Sequence, residues 1–426
     1  MATTTVTEIA SRETFPFKVQ DKPTYTKVPG GWEASHKGYK WFTGTVPNDD
    51  FVPPQDFEIS QQSEKVSINA KGQTELPQKL NVDYNNYKYE SLLAHTTLTK
   101  ELPYEAYDHV DCAGRADPEK KSLFDAITSK TNMTPIIGTE VRGVQLSALT
   151  SEQRDELSLW AAERGVLVFR DQDFVDQSPE FLKQYGSHFG RLHVHSFGSH
   201  VKGHPEILSN LRDSDKTVFD SFSAGMLTTT RWHSDMTYEA NPMGTTFLAA
   251  LSVPDCGGDT LYLNSMAAYD ALSTPMKAFL DNLDAIHSGA RQSVHGKKKS
   301  PYRRDLVESI HPIVRVHPVT GRKALWFPPE YVSGIVGLKR EESDAITDML
   351  YRHLQGSLDF HTRVKWDNKT VVVYDNRMVM HSVVLDYPLG PGEKRHHIRI
   401  TPQAERPIPV RERKAGEGDM VYDPTG

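Results

Sequence analysis

The chain carries Thr230-Arg231-Trp232-His233-Ser234-Asp235-Met236-Thr237-Tyr238, and this stretch constrains the architecture of the rest. Residues that favour β-structure surround His233 and Asp235, which indicates a strand or the end of one. Side chains two positions apart in a strand point to the same face, so this imidazole and this carboxylate converge. They are two of the three ligands of a 2-His-1-carboxylate triad, which leaves three positions open on iron(II). A histidine that is hydrogen-bonded within a barrel wall is the alternative explanation.

A third ligand is expected on a late strand. His381 follows the hydrophobic run Val371-Val372-Val373-Tyr374 after a turn at Asp375-Asn376. Because a long segment separates His381 from Asp235, their contact requires closure across a barrel, which a jelly roll provides. The sequence therefore links the proposed metal site to one particular fold class.

The run Lys394-Arg395-His396-His397-Ile398-Arg399-Ile400-Thr401 reads as a strand with two different faces. Ile398 and Ile400 share one face, which predicts packing under outer helices. Arg395 and Arg399 share the other face and point into the barrel, where a cation is costly unless an anion meets it. Two inward arginines predict two anionic ligands, or one ligand and one internal carboxylate. An edge strand with both arginines in water is the alternative.

Composition narrows the class of protein. The chain has 426 residues, of which 37% are hydrophobic and 25% charged, as in a soluble globular protein. Its net charge of −7 without a long basic run argues against a nucleic-acid partner. Two cysteines, Cys112 and Cys256, fit a reducing compartment rather than a disulfide scaffold. Residues 1–18 lack the apolar core of a secretory signal, so we expect a cytoplasmic location. The longest apolar stretch, 247–253, is too short to span a bilayer, so we expect no membrane partner.

Three regions are expected along the chain. Residues 1–130 are polar and rich in Pro, Tyr and Lys, which predicts a largely irregular extension that packs on the core. Residues 131–407 form the core domain, and residues 408–426 form a C-terminal tail. Within the core, the basic segment 288–304 predicts a mobile insertion, a solvated loop or lid, rather than a nucleic-acid-binding patch.

Helix and strand signals in the core favour one architecture. Thr150 with Gln153 indicates a helix start, Val166-Leu167-Val168-Phe169-Arg170 a buried strand, and Ser178-Pro179 a second helix. Further strands are expected up to residue 401, with an amphipathic helix at 340–355. Strands separated by long connections, with few βαβ alternations, favour a mainly β fold with flanking helices. We therefore expect an antiparallel double-stranded β-helix, a cupin-like jelly roll.

The motifs together resemble those of the taurine dioxygenase family of iron(II)/2-oxoglutarate-dependent oxygenases, and most closely those of its fungal sulfonate-dioxygenase branch. The resemblance covers about Thr134 to Pro407. Its motifs occur in this order: Gly165-Val166-Leu167-Val168-Phe169-Arg170, His193-Val194-His195, Trp232-His233-Ser234-Asp235, Gly257-Gly258-Asp259-Thr260, Asp375-Asn376-Arg377 with His381, and Arg399-Ile400-Thr401-Pro402-Gln403. No single motif is specific, whereas their combination is.

The resemblance implies a ligand set for a metal and a co-substrate. His233, Asp235 and His381 would bind Fe(II). Thr260 and Arg395 would bind the distal carboxylate of 2-oxoglutarate, and O2 would be the second co-substrate.

The resemblance also implies a substrate site. Arg399 would lie near the co-substrate and near the anionic head of the substrate, and His195 would face it from the N-terminal side. Ser196-Phe197-Gly198-Ser199 departs from the loop of the taurine enzyme, which leaves the identity of the substrate open.

The expected reaction is hydroxylation of a small anionic organic substrate, with an alkyl sulfonate that releases sulfite, or an alkyl sulfate ester, as the leading candidates. A hydroxylase or desaturase of the same mechanism that acts on a carboxylate or a secondary metabolite is an alternative. A non-catalytic jelly-roll binding module is another, but it would have lost a ligand. A zinc hydrolase would have no use for Thr260 and Arg395. Homo-oligomerisation stays open.

Overall fold

The structure, a computed structural model, describes residues 24–28, 31–36, 39–42, 67–68, 74–76, 84, 86–97, 104–196, 199–212, 230, 232–289, 303–304, 307–387 and 393–410. The strands are β1 (Thr24–Val28), β2 (Gly31–His36), β3 (Tyr39–Phe42), β4 (Ser67–Ile68), β5 (Thr74–Leu76), β6 (Ala94–Thr97), β7 (Ser129–Asn132), β8 (Thr139–Arg142), β9 (Val166–Phe169), β10 (His200–Val201), β11 (His204–Arg212), β12 (Thr245–Ser252), β13 (Thr260–Asn264), β14 (Asp284–Ser288), β15 (Glu308–Pro312), β16 (Val314–Val316), β17 (Lys323–Leu325), β18 (Val332–Ile335), β19 (His361–Val364), β20 (Val371–Asp375), β21 (Val379–Val383), β22 (Arg395–Ile400) and β23 (Ile408–Pro409). The α-helices are α1 (Lys121–Ala126), α2 (Ser151–Arg164), α3 (Pro179–Ser187), α4 (Ser265–Asp270), α5 (Thr274–Leu280) and α6 (Arg340–Gly356).

Two facing sheets enclose the functional site. The larger sheet has the order β4-β5-β6-β10-β11-β22-β12-β20-β9-β8-β7, and the smaller has the order β19-β13-β21. All pairings in these two sheets are antiparallel except that of β8 with β9. The expected double-stranded β-helix with flanking helices is therefore confirmed.

The alternation of side chains in the strands separates an inner core from an outer one. On β20, Val372 and Tyr374 pack between the two sheets, whereas Val371 and Val373 pack on the outer side with residues of α2 and α3. A third cluster covers the outside of the smaller sheet with residues of α4 and α6, such as Leu350. The site thus lies inside a barrel that is covered by helices on both outer faces.

The local signals in the core are confirmed. Thr150 and Gln153 form a capping box at the start of α2, and that helix ends at Gly165, whose φ of +74° suits glycine. Ser178 caps α3 with Pro179 at its first position. These caps fix the ends of the helices that cover the larger sheet.

Residues before 130 contribute regular structure as well as irregular segments. Strands β1, β2 and β3 form a separate three-stranded sheet, and β4 to β6 extend the larger sheet beyond β10. The tyrosine hydroxyl of Tyr107 donates to the carbonyl of Gln403 at 2.9 Å, and Tyr87 lies 3.1 Å from the Nδ1 atom of His396. In the part of the chain that the structure describes, no helix has the length and apolar character needed to cross a membrane.

Candidate metal and co-substrate site

Three predicted metal ligands meet at one end of the barrel. His233 and His381 pair as a single β-bridge, in which each backbone N–H donates to the other residue's carbonyl, at 3.1 and 2.8 Å. Their rings are 4.2 Å apart. One ligand atom from each of His233, Asp235 and His381 lies within 4.8 Å of the other two. The convergence expected from the sequence is present, although Asp235 lies in a turn rather than in a strand.

Polar neighbours fix the position of the Asp235 side chain and keep its carboxyl group ionised. The Tyr374 hydroxyl donates to Oδ2 at 2.7 Å, and the Arg399 guanidinium contacts Oδ1. Burial, the largest single effect, would raise the pKa of Asp235. The charge of Arg399, the two histidines and the Tyr374 hydrogen bond together outweigh it and hold that pKa well below its usual range. Burial, and next the neighbouring His233, lowers the pKa of His381 to about 3. The site therefore offers an anionic carboxylate and a neutral imidazole, the protonation states that bind a metal.

Strand β22 has the two faces expected from its sequence. Ile398 and Ile400 belong to the outer core, and the Nε2 atom of His396 faces the Ser209 hydroxyl at 3.0 Å. Arg395 and Arg399 point inward, and both are buried. Arg399 is paired with the internal carboxylate of Asp235, which is one of the two arrangements that inward arginines predict.

Arg395 and Thr260 lie in the same interior, where Thr260 pairs with Val383, two residues beyond His381 on β21. Arg395 donates from Nη2 to the carbonyl of Gly258 at 3.1 Å, and the Trp366 indole donates to the Thr260 hydroxyl at 3.0 Å. Burial lowers the pKa of Arg395 to about 10, so it is still a cation at neutral pH. The indole of Trp366 also lies edge-on to His397, at 4.7 Å between ring centroids.

Several polar atoms on the inner wall have no hydrogen-bond partner within the described ranges. They are the hydroxyl of Tyr262, Nε of Arg395, Nε of Arg399 and both ring nitrogens of His397. Buried polar groups are almost always hydrogen-bonded, so such a set indicates a polar ligand. A dicarboxylate between Arg395 and the triad would meet these atoms. The residues present therefore fit both a metal ion and 2-oxoglutarate.

His195 lies buried behind a clamp of two arginines. Burial, followed by the charge of Arg399, holds the pKa of His195 well below its usual range. Arg303 donates to the carbonyl of His195 at 2.9 Å, and its own backbone N–H donates to the carbonyl of Ser196 at 2.7 Å. Arg304 donates to the carbonyl of Val194 and to the Ser196 hydroxyl, the latter at 3.2 Å.

The expectation of a solvated basic loop is wrong for these two arginines. Each is only 2% exposed, because three consecutive residues of the segment 194–196 supply acceptors for them, and Glu239 supplies a carboxylate 3.2 Å from Arg304. Residues 290–302, which include the remainder of the basic run, lie outside the described residues.

Some residues of the site were missed from the sequence. Tyr374 donates to Asp235, and the amide oxygen of Asn376 accepts the backbone N–H of Asp235 at 2.9 Å. Tyr331 is buried edge-on to His233, with 6.1 Å between ring centroids. The inward parity of Tyr374 in β20 was a usable signal for its position, since Val372 shares its face. No comparable sequence signal marked Tyr331.

A jelly roll that holds two histidines and one carboxylate in its interior is typical of cupin-like dioxygenases. The model of the family described as "Taurine catabolism dioxygenase TauD, TfdA family" matches residues 129–401. The chain belongs to this family.

Individual relatives agree with this assignment. An alpha-ketoglutarate-dependent sulfonate dioxygenase of Saccharomyces cerevisiae is 40% identical over 322 residues, which cover 72% of this chain and 75% of that protein. The alpha-ketoglutarate-dependent dioxygenase cnsP of Penicillium expansum is 42% identical, with 72% and 83% covered. The crystal structure of a taurine dioxygenase from Burkholderia xenovorans superposes with a TM-score of 0.55 at 28% identity, and covers 68% of this chain and 94% of that one.

Proposed function

We propose that the chain is an Fe(II)/2-oxoglutarate-dependent dioxygenase that hydroxylates the sulfur-bearing carbon of a small alkyl sulfonate and thereby releases sulfite. The observation that carries the proposal is the convergence of His233, Asp235 and His381 in the same barrel interior as Arg395 and Arg399. An alkyl sulfate ester, which would release sulfate, is included in the same substrate class.

The residues divide the work between metal, co-substrate and substrate. His233, Asp235 and His381 hold the iron, and Thr260 with Arg395 binds the distal carboxylate of 2-oxoglutarate. When bound together, iron(II), 2-oxoglutarate and O2 supply the oxidant that converts a substrate C–H bond to C–OH, with succinate and carbon dioxide as the other products. A hydroxyl group on a carbon that bears a sulfonate leaves an unstable product, which separates into an aldehyde and hydrogen sulfite.

Charge supports an anionic substrate. Arg399 pairs with the Asp235 carboxylate, whereas Arg395 forms no ion pair among the described residues, which leaves one positive charge in excess. The two positive charges of the metal balance the two negative charges of 2-oxoglutarate, so the excess remains for the substrate. Arg399 and His195 can then give donors to the three oxygens of a sulfonate or sulfate head group.

The test is a substrate panel under air with iron(II), ascorbate and 2-oxoglutarate, in which succinate, sulfite and sulfate are assayed. We expect succinate formation that depends on a sulfonate or a sulfate ester, with equimolar sulfur release. His233→Ala, Asp235→Ala and His381→Ala are the controls and should each abolish it while the protein stays folded. Robust turnover of a sulfur-free substrate without sulfur release would overturn the substrate class and leave the dioxygenase intact.

The runner-up is hydroxylation or desaturation of a carboxylate or a secondary metabolite by the same mechanism. It is favoured by the departure from the loop of the taurine enzyme at Ser196-Phe197-Gly198-Ser199, which follow His195 in the sequence. It is also favoured by the 42% identity to a relative whose name includes no sulfonate. The same panel separates the two functions.

We also propose that the chain is divided into an extension at 1–130, a core at 131–407 and a tail at 408–426. We further propose a cytoplasmic location.

The composition supports a partner that is a small molecule rather than nucleic acid, since the chain carries a net charge of −7.

A further inference from the structure

Tyr262 lies in the barrel interior, next to both Thr260 and His381 in the smaller sheet. It lies on β13, two residues after Thr260 and opposite His381 of β21. Its side chain therefore shares the inner face with both. The ring is fully buried and lies nearly parallel to that of His381, with 5.9 Å between centroids and 29° between planes. It also lies 5.5 Å from the ring of Tyr374, whose hydroxyl binds Asp235.

The hydroxyl of Tyr262 has no hydrogen-bond partner in the described part of the chain. A buried hydroxyl without a partner is unfavourable and calls for an explanation. The charged groups that act on it are Asp235 at the metal end, and Arg395 and Arg399 on β22. A tyrosine hydroxyl is protonated at neutral pH and can donate a hydrogen bond.

We propose that the Tyr262 hydroxyl donates a hydrogen bond to an oxygen of bound 2-oxoglutarate. A dicarboxylate that reaches from the triad to Arg395 has to pass along β13, where Tyr262 stands between Thr260 and the metal end. This inference rests on the proposed co-substrate site and adds a binding residue to it. In the ligand-bound state, an oxygen of 2-oxoglutarate would be the acceptor that the protein itself does not provide for this hydroxyl.

Tyr185 provides a matched control. Its hydroxyl is also buried and without a hydrogen-bond partner among the described residues. However, Tyr185 lies in the outer core, where its ring meets those of Phe174 and Phe247 at 5.1 and 5.5 Å. Tyr185→Phe therefore removes the same atom from an equally buried position, on the opposite side of the larger sheet from the barrel interior.

The experiment is a calorimetric titration of 2-oxoglutarate into full-length protein loaded with Mn(II), without oxygen. Tyr262→Phe should raise the Kd about ten- to a hundredfold, as expected for a hydrogen bond to a charged group. Tyr185→Phe should leave the Kd within twofold, and all variants should keep the wild-type affinity for Mn(II). Tyr262→Met serves as a second variant without a donor in case the phenylalanine variant does not fold.

The outcomes separate this inference from the proposed function. If Tyr262→Phe binds 2-oxoglutarate with the same Kd as the wild type, Tyr262 is not a binding residue, whereas the proposed co-substrate site is not contradicted. Wild-type protein that binds Mn(II) but not 2-oxoglutarate would overturn the co-substrate site itself, and the role of Tyr262 with it. Weaker binding in Tyr262→Phe alone supports the inference.

Discussion

Three groups of the protein contact Asp235: two bind its side chain and one binds its backbone. Arg399 contacts one oxygen, Tyr374 donates to the other, and Asn376 fixes the backbone. Each group removes a degree of freedom from the carboxylate, and outer contacts of this kind orient the ligands of a metal. The arrangement keeps Asp235 in place before a metal arrives.

Tyr374→Phe should therefore weaken metal binding without disturbing the fold. The change removes the hydrogen bond to Oδ2 of Asp235 and keeps the ring that packs between the sheets. Loss of such an outer partner costs about ten- to a hundredfold in metal affinity. Titration of Mn(II) into the protein measures the effect, with Tyr185→Phe as the control. A metal affinity within twofold of wild type would contradict this role.

Arg395→Gln should raise the KM for 2-oxoglutarate by about ten- to a hundredfold, because a charge-assisted pair is worth about 1.5–3 kcal/mol. Succinate formation at varied 2-oxoglutarate measures it. Arg322→Gln is the control for loss of a positive charge, since Arg322 is half exposed and pairs with exposed Asp270. An unchanged KM would assign the co-substrate contact to Arg399.

Among the elements, β22 could be predicted from sequence because its alternation is strict. The isoleucines need an apolar face and the arginines need an anion, so only one orientation satisfies both. The same parity places His381 and Tyr262 on one interior face across β13 and β21. Such local periodicity predicts the inward faces of β21 and β22, whereas Asp235 lies in a turn, so strand parity does not account for its convergence with His233.

Burial of the residues at 303 and 304 could not be predicted in this way. Their acceptors are three backbone or hydroxyl groups of a segment about a hundred residues earlier, and composition alone makes a basic run look solvated. Cys256 is likewise exposed, although cysteine is among the residue types most often buried. It precedes a turn in which Gly257 and Gly258 both have positive φ, which carries the chain outside the sheets.

Arg303→Gln should alter how the substrate is bound and leave 2-oxoglutarate binding unchanged. Arg303 holds the carbonyl of His195, the residue proposed to face the substrate, and is remote from Thr260 in the chain. We expect the KM for the sulfonate to rise about tenfold, as for loss of a charged hydrogen bond, with partial recovery in Arg303→Lys. Steady-state kinetics with each of the two substrates varied in turn measures the split. A parallel rise in both KM values would indicate general damage instead of a role in positioning.

Across the whole molecule, buried ion pairs join the early part of the chain to the barrel. Arg377 contacts Asp111 and pairs with Asp375 at 2.6 Å and with Glu405 at 3.3 Å. Asp375 also receives the Nε2 atom of His317 at 3.0 Å. Because a buried charge is strongly unfavourable once its partner is removed, this network ties residues near 111 to the end of β20. The early segment is thus part of the folded unit around the site.

The free energy of unfolding should begin to fall near pH 6.5, well above the pH range in which carboxylates take up protons. Burial is the largest cause that lowers the pKa of His193 and His396 to about 4, and of His200 and His311 to about 3. In the unfolded chain the pKa is about 6.5. Between these values the unfolded state binds protons that the folded state does not, so stability is complete above pH 6.5 and is lost as the pH falls towards 4.

Urea unfolding between pH 7.5 and 5.5 should therefore show a steady fall in the free energy of unfolding. Each histidine contributes roughly 1.4 kcal/mol at pH 5.5, one pH unit below its unfolded pKa. His396→Gln removes one of these groups, and its amide can keep the contact with Ser209. The pH slope of that variant should be smaller by one histidine's contribution. His353→Gln, which removes a half-buried imidazole that contacts the carbonyl of Ala268, serves as the control for a lost imidazole. A free energy of unfolding that stays level from pH 7.5 to 5.5 would contradict the neutral, buried state of these histidines.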